Sequence, residues 1–185
     1  MIDEILADAK VRMGKSAESV ASEFSRIRTG RASTALLDHI QVDYYGSSVP
    51  VAQAATVSVG DARTLVIQAW EKNMIPIIEK SIIESDLGLN PVTAGEVIRI
   101  PLPALTEERR KEMTKLVRHE GENGKIAIRN IRRDALGDLR EMVKEKMIGE
   151  DDEKRAETQI QGLTDHSVAK IDALVEEKEA EVMEV

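Results

Sequence analysis

The stretch TEERRKEMTKLVRHEGENGKIAIRNIRRDALGDLREMVKEKM, running from Thr106 to Met147, says most about what this chain builds. Thr106 is a favourable N-cap, and Glu107 and Glu108 follow it where the positive end of a helix dipole stabilises carboxylates. Met113, Val117, Ile128, Ile131, Ala135 and Met142 share one face at helical spacing, so the stretch predicts one long helix ending near Met147. At 100° per residue, Arg118, Lys125, Arg129, Arg132, Arg133 and Arg140 fall within an arc of roughly 100°. That arc lies a quarter turn or more from the apolar face. One side of the helix is therefore dressed for packing and another for a polyanion. Gly121 and Gly124 sit inside the pattern and predict local softness, since two interior glycines cost about 2 kcal/mol against alanine.

Working outward, the chain before this helix changes texture twice. Leu6, Ala9, Met13, Ala17, Val20, Phe24 and Ile27 step by three and four, predicting a helix that stops at Thr29-Gly30. From Ala32 to Leu105 short alternating runs at Ile40–Tyr44, Val57–Val59, Leu65–Ala69 and Val97–Ile100 read as strands, with Gly46-Ser47-Ser48 as an interruption. A short helix is predicted from Ile77 to Ser85, with Pro76 at its start and Gly88 beyond its end. The insert reads as a small α/β unit of mixed strands. After Met147, Gly149 to Asp152 reads as a break with a solvated acidic connection. A last helix is predicted from about Glu153, with Ile160, Leu163, Ile171 and Leu174 on its apolar side. Three amphipathic helices of about 30 residues would each span ~45 Å. None can bury its stripe alone, so they predict a three-helix bundle with the insert hung on two connections, bent and elongated overall.

Composition narrows the chemistry. With no cysteine, disulfides, thiolate metal sites and cysteine nucleophiles are all excluded, which fits a reducing compartment. No apolar run approaches the ~18 residues of a membrane span, and Met1-Ile2-Asp3-Glu4 is acidic where a secretory signal would be basic. A cytoplasmic protein is expected. The formal net charge of -8 argues against a nucleic-acid partner only until its distribution is read. Residues 106–133 carry nine basic against five acidic groups, whereas 134–185 carry seven against sixteen. Screening over about 8 Å lets such a local patch act despite an acidic remainder.

Most charged helical stripes are solvated faces laced with i,i+4 pairs. Here Glu122 is the only obvious acid within the stripe, and a row of guanidiniums suits forked contacts to phosphate oxygens. Arg26, Arg28 and Arg31, near the end of the first helix, are placed to extend it. The competing reading is a coiled-coil adaptor whose basic face pairs with an acidic protein helix. Enzyme readings find little support: His39, His119 and His166 lie in different elements without metal spacing, and no nucleotide-binding glycine motif or nucleophile elbow is present. Tyr44-Tyr45 offers a possible stacking pair, although one member of such a pair usually faces a core.

Five motifs then occur in a fixed order: Arg28-Thr29-Gly30-Arg31-Ala32, Tyr44-Tyr45-Gly46, Ser85-Asp86-Leu87-Gly88-Leu89-Asn90-Pro91, Ile100-Pro101-Leu102-Pro103 followed by Leu105-Thr106-Glu107-Glu108-Arg109-Arg110, and Arg129-Asn130-Ile131-Arg132-Arg133-Asp134-Ala135. On these residues the whole chain resembles the bacterial ribosome recycling factors. The resemblance implies an α+β, L-shaped molecule with the outline of a transfer RNA. It implies a three-helix bundle from residues 1–30 and 105–185, and a small β/α/β domain from 31–104, hinged at Gly30, Arg31, Pro103, Ala104 and Leu105. It further implies a cytoplasmic, monomeric translation factor without enzymatic activity, cofactor or metal. Such a factor binds large-subunit ribosomal RNA and, with elongation factor G and GTP, splits post-termination ribosomes. The RNA-contacting positions it implies are Arg28, Arg31, Arg129, Arg132 and Arg133, to which the stripe adds Arg118 and Lys125. Lys125 stands where the family usually has Arg, keeping the charge without the fork.

Overall fold

The computed structural model describes residues 1–27, 29 and 31–184, and the predicted positions Arg28 and Gly30 lie outside them. Among the described residues four α-helices and six strands follow one another: α1 (Ile2–Ser25), β1 (Gln41–Tyr44), β2 (Ser47–Pro50), β3 (Ala55–Asp61), β4 (Thr64–Ala69), α2 (Ile75–Ile83), β5 (Val92–Ala94), β6 (Val97–Pro101), α3 (Glu107–Lys144) and α4 (Glu150–Met183). Two compact units result. One comprises residues 1–24 and 112–180; the other comprises 25–111 with the residues from Glu181 on.

The first unit is the bundle of α1, α3 and α4. In α1 the buried residues are Ala9, Met13, Ala17, Val20 and Phe24, a seam at steps of three and four. The period continues to a buried Ile27, but the helix ends at Ser25 because periodicity reports burial and not helicity as such. In α3 the buried row is Val117, Gly121, Gly124, Ile128, Ile131, Ala135, Leu139 and Met142. Ala156, Ile160 and Ile171 of α4 face it, with buried Thr164 turning its hydroxyl back to the Ile160 carbonyl at 2.8 Å. That bond satisfies a polar group which would otherwise be costly inside.

Gly121 and Gly124 are not soft points. The helix runs through them unbroken, and both lie where side chains of the neighbouring helices come close. A Cβ on Gly121 would stand 2.4 Å from Val175 Cγ2, and one on Gly124 would stand 2.3 Å from Val20 Cγ2 and 3.1 Å from Ile171 Cδ1. Gly124 is thus the point where α3 meets α1 and α4 together. The helix-propensity penalty is real, but absent side chains are what let three helices approach there.

The acidic run also differs from expectation. Glu150, Asp151, Asp152 and Glu153 form the first turn of α4, where four carboxylates complement the helix dipole. Thr106 caps α3 as its sequence predicts, its Oγ1 accepting from the Arg109 amide at 3.1 Å.

In the second unit the strands pair only antiparallel, as a β1-β2 hairpin and a four-stranded β3-β4-β6-β5 sheet. The expected mixture of strand directions is therefore corrected. The α2 crossover does deliver β5 parallel to β4, but β6 inserts between them, so no parallel pair forms. Ser47 and Ser48 belong to β2, paired with Tyr44 and Asp43. Tyr45 and Gly46 make the tight turn before them with φ of 52° and 86°, as a right-twisted two-residue hairpin requires. Leu65 and Ile67 of β4, Ile98 and Ile100 of β6 and Ile78 and Ile82 of α2 are fully buried in one core, which Val42 and Val51 extend. The residues near the carboxyl end join this unit: Val182 is fully buried, and Glu184 pairs with Arg31.

Candidate nucleic-acid interface

The basic stripe lies on α3 within the first unit, and its side chains divide by what they meet. Arg118 Nε lies 2.5 Å from Glu179 Oε1 of α4, and this bond raises the guanidinium above its ordinary pKa. Lys125 Nζ lies 2.8 Å from Asp172 Oδ1, also of α4, and 3.4 Å from Glu122. Asp172 holds the ammonium above the usual lysine range, although partial burial opposes it. Arg129 Nη1 lies 3.0 Å from Glu122 Oε1, and that bond, with Lys125 nearby, lowers the Glu122 carboxyl. The expectation that Glu122 alone opposes the stripe is therefore corrected. A helical projection of α3 cannot show what a packed neighbour brings, and α4 brings two more carboxylates.

The pairing stops partway along. Arg132 Nη1 donates to the neutral amide oxygen of Gln161 at 3.0 Å, which fixes the guanidinium without cancelling its charge. Arg133 and Arg140 are exposed and carry no ion pair among the described residues. Asp134, next in sequence to Arg133, is taken up by Arg12 of α1 at 3.0 Å. From Arg129 toward the carboxyl end of α3, positive charge thus faces solvent, and the one ion pair on this row among the described residues is Arg129 with Glu122.

The remaining predicted positions belong to the second unit or fall outside the described residues. Arg31 is exposed, belongs to the second unit and pairs there with Glu184. Arg26 belongs to the same unit, and Arg28 and Gly30 fall outside the described residues. Pro103, Ala104 and Leu105 lie on irregular backbone between β6 and α3, with Leu105 buried. Tyr44 is half-buried against the second core, and Glu71 accepts from both tyrosine hydroxyls, from Tyr44 at 3.0 Å. That leaves Tyr45 as the exposed member of the pair. The three histidines are exposed, and no group of metal-ligating side chains is found among the described residues. No described helix is long and apolar enough to cross a membrane.

Reading α3 alone missed Lys154 and Gln161, on α4 opposite Arg132 and Arg140. Their spacing of seven residues puts both on one face of that helix, a signal legible only once α4 is known to lie beside α3.

The chain as a whole is similar to proteins of one family. A sequence model described as ribosome recycling factor matches residues 20–183. The ribosome-recycling factor of Legionella pneumophila (strain Paris) is 56% identical over 185 residues, all of both chains. That of Thioalkalivibrio sulfidiphilus (strain HL-EbGR7) is 58% identical over the same length, again all of both chains. A solution structure of a ribosome recycling factor superposes with a TM-score of 0.85 at 43% identity, covering 100% of this chain and 98% of the other. A model of the T. thermophilus factor with E. coli elongation factor G on the E. coli post-termination complex gives 0.71 at 48% identity, covering both chains fully.

Proposed function

The chain belongs to the ribosome recycling factor family, and from that premise we propose that it works as a cytoplasmic, non-enzymatic translation factor whose α3 face grips large-subunit ribosomal RNA. The observation that carries this reading is the row Arg129, Arg132, Arg133 and Arg140, in which Arg129 alone forms an ion pair among the described residues. Guanidiniums so placed fork onto the oxygens of a phosphodiester backbone and release its condensed counterions. Arg118 and Lys125 serve as weaker members, because Glu179 and Asp172 already engage them. Each pair keeps one partner largely exposed, and such pairs are weak, so a phosphate can displace either carboxylate. Arg28 and Arg31 are proposed as further RNA contacts; Arg31 would have to leave Glu184.

On this reading no covalent bond is made or broken by the chain. Residues 1–30 and 105–185 hold the monomeric factor on the RNA. Residues 31–104, hinged at 30–31 and 103–105, take up motion imparted by elongation factor G as it hydrolyses GTP. Light scattering of post-termination ribosomes tests this directly. Scattering is expected to fall only when the chain, elongation factor G and GTP are all present; unchanged scattering with the full set refutes the reading.

The ion pairs give a second prediction. Glu122→Gln removes the carboxylate that competes with phosphate for Arg129 and Lys125 while leaving an amide of equal size. Affinity for isolated large subunits is expected to rise about two- to fivefold at low salt, and the gain should shrink as salt screens the original pair. Weaker binding by this variant in a filter-binding titration would show that Glu122 orients Arg129 instead of masking it.

A further inference from the structure

Where α3 and α4 run side by side, they enclose an open cleft of about 460 Å³ that the stripe alone does not explain. Arg132 and Arg140 line it from α3; Lys154, Thr158 and Gln161 line it from α4. Leu136 is its apolar element and Glu157 its single acid. Arg132 is tied to Gln161, and neither Arg140 nor Lys154 carries an ion pair among the described residues. Three cations from two helices thus face one space against one carboxylate. Pockets for small organic ligands are mostly apolar and often aromatic, and this one is neither. Its chemistry is that of an oxyanion seat, roomy enough for a group that keeps part of its water.

We propose that this cleft binds a backbone phosphate of the RNA, with Lys154 of α4 as a ligand from the second helix. The inference rests on the RNA reading above and deepens it: the interface is a two-helix groove and not one helical face. Arg132 and Arg140 are eight residues apart, about 12 Å along the α3 axis, so they suit the two ends of a short run of backbone. Lys154 stands across from them, and its flexible stem serves as a point charge where a rigid fork is not required. Glu157 lines the same space and limits the affinity.

Filter binding of the full chain to isolated large ribosomal subunits across a salt series tests the proposal. Arg155 supplies the control, because it is the next residue on α4, carries the same charge, lies outside the cleft lining and pairs with Asp152 at 3.2 Å. Lys154→Ala is expected to weaken binding about five- to tenfold near 0.1 M salt and to make the logarithmic salt dependence shallower by about one. Arg155→Ala is expected to leave both unchanged. Equal behaviour of the two variants, whether both weaken or neither does, overturns the cleft proposal. In that case an Arg129→Ala, Arg132→Ala double variant separates the two levels of the argument. Loss of binding by the double variant leaves the RNA reading standing without the cleft, and parental binding by it removes both.

Discussion

Removing Arg129 and Arg132 together, as the double alanine variant, is expected to weaken binding to isolated large subunits by about a hundredfold near 0.1 M salt, with a salt dependence shallower by about two. The size follows from what each side chain offers. A guanidinium in a forked phosphate contact makes charge-assisted hydrogen bonds and releases about one counterion, roughly tenfold in affinity for each. Neither side chain helps close the bundle core, since Arg129 is exposed and, among the described residues, Arg132 is held only by Gln161. Thermal unfolding should therefore stay within a degree or two of the parent. A hundredfold loss accompanied by unfolding would point to a structural role, and unchanged binding across the salt series would remove the α3 face from the interface.

The second large effect concerns the core and has opposite signs at two glycines of one helix. Gly124→Ala gains about 1 kcal/mol of helix propensity. It also drives a methyl to 2.3 Å from Val20 Cγ2, inside a junction of three helices. Valine is β-branched and cannot swing aside cheaply, so overpacking of about 1–3 kcal/mol is expected to win, and the melting temperature should fall by several degrees. Gly137→Ala, on the same helix, meets nothing within 4 Å and should stabilise by about 0.5–1 kcal/mol. Calorimetry of the two variants gives the comparison. A Gly124→Ala chain as stable as its parent would mean that the junction yields, and the close-packing argument would then be wrong.

Much of this was legible in the chain because helical seams announce themselves locally. Thr106, the apolar rows of α1 and α3 and the strand alternation at Leu65–Ala69 each depend on neighbours a few residues away. What was not legible depends on partners distant in sequence. Gly121 and Gly124 look like weak points in isolation and become close contacts only when Val20, Ile171 and Val175 arrive from other helices. The stripe looked almost unopposed until Asp172 and Glu179 came beside it. The strands Ser47–Pro50 and Val92–Ala94 were missed because the first has two serines and a proline and the second is three exposed residues long. Neither carries the alternation on which strand reading relies.

The bundle is assembled from two stretches of chain separated by nearly all of the other unit. During synthesis α1 leaves the ribosome before α3 and α4, yet Met13, Val20 and Phe24 have no bundle partners until those helices have been made. Apart from the residues from Glu181 on, the other unit is the one unbroken run 25–111, so it can collect most of its core earlier. The order of assembly is then inverted relative to the order of translation. The opening helix waits as an unpaired amphipathic segment while the insert condenses, and slowing elongation across α3 should lengthen the interval in which a chaperone can capture it.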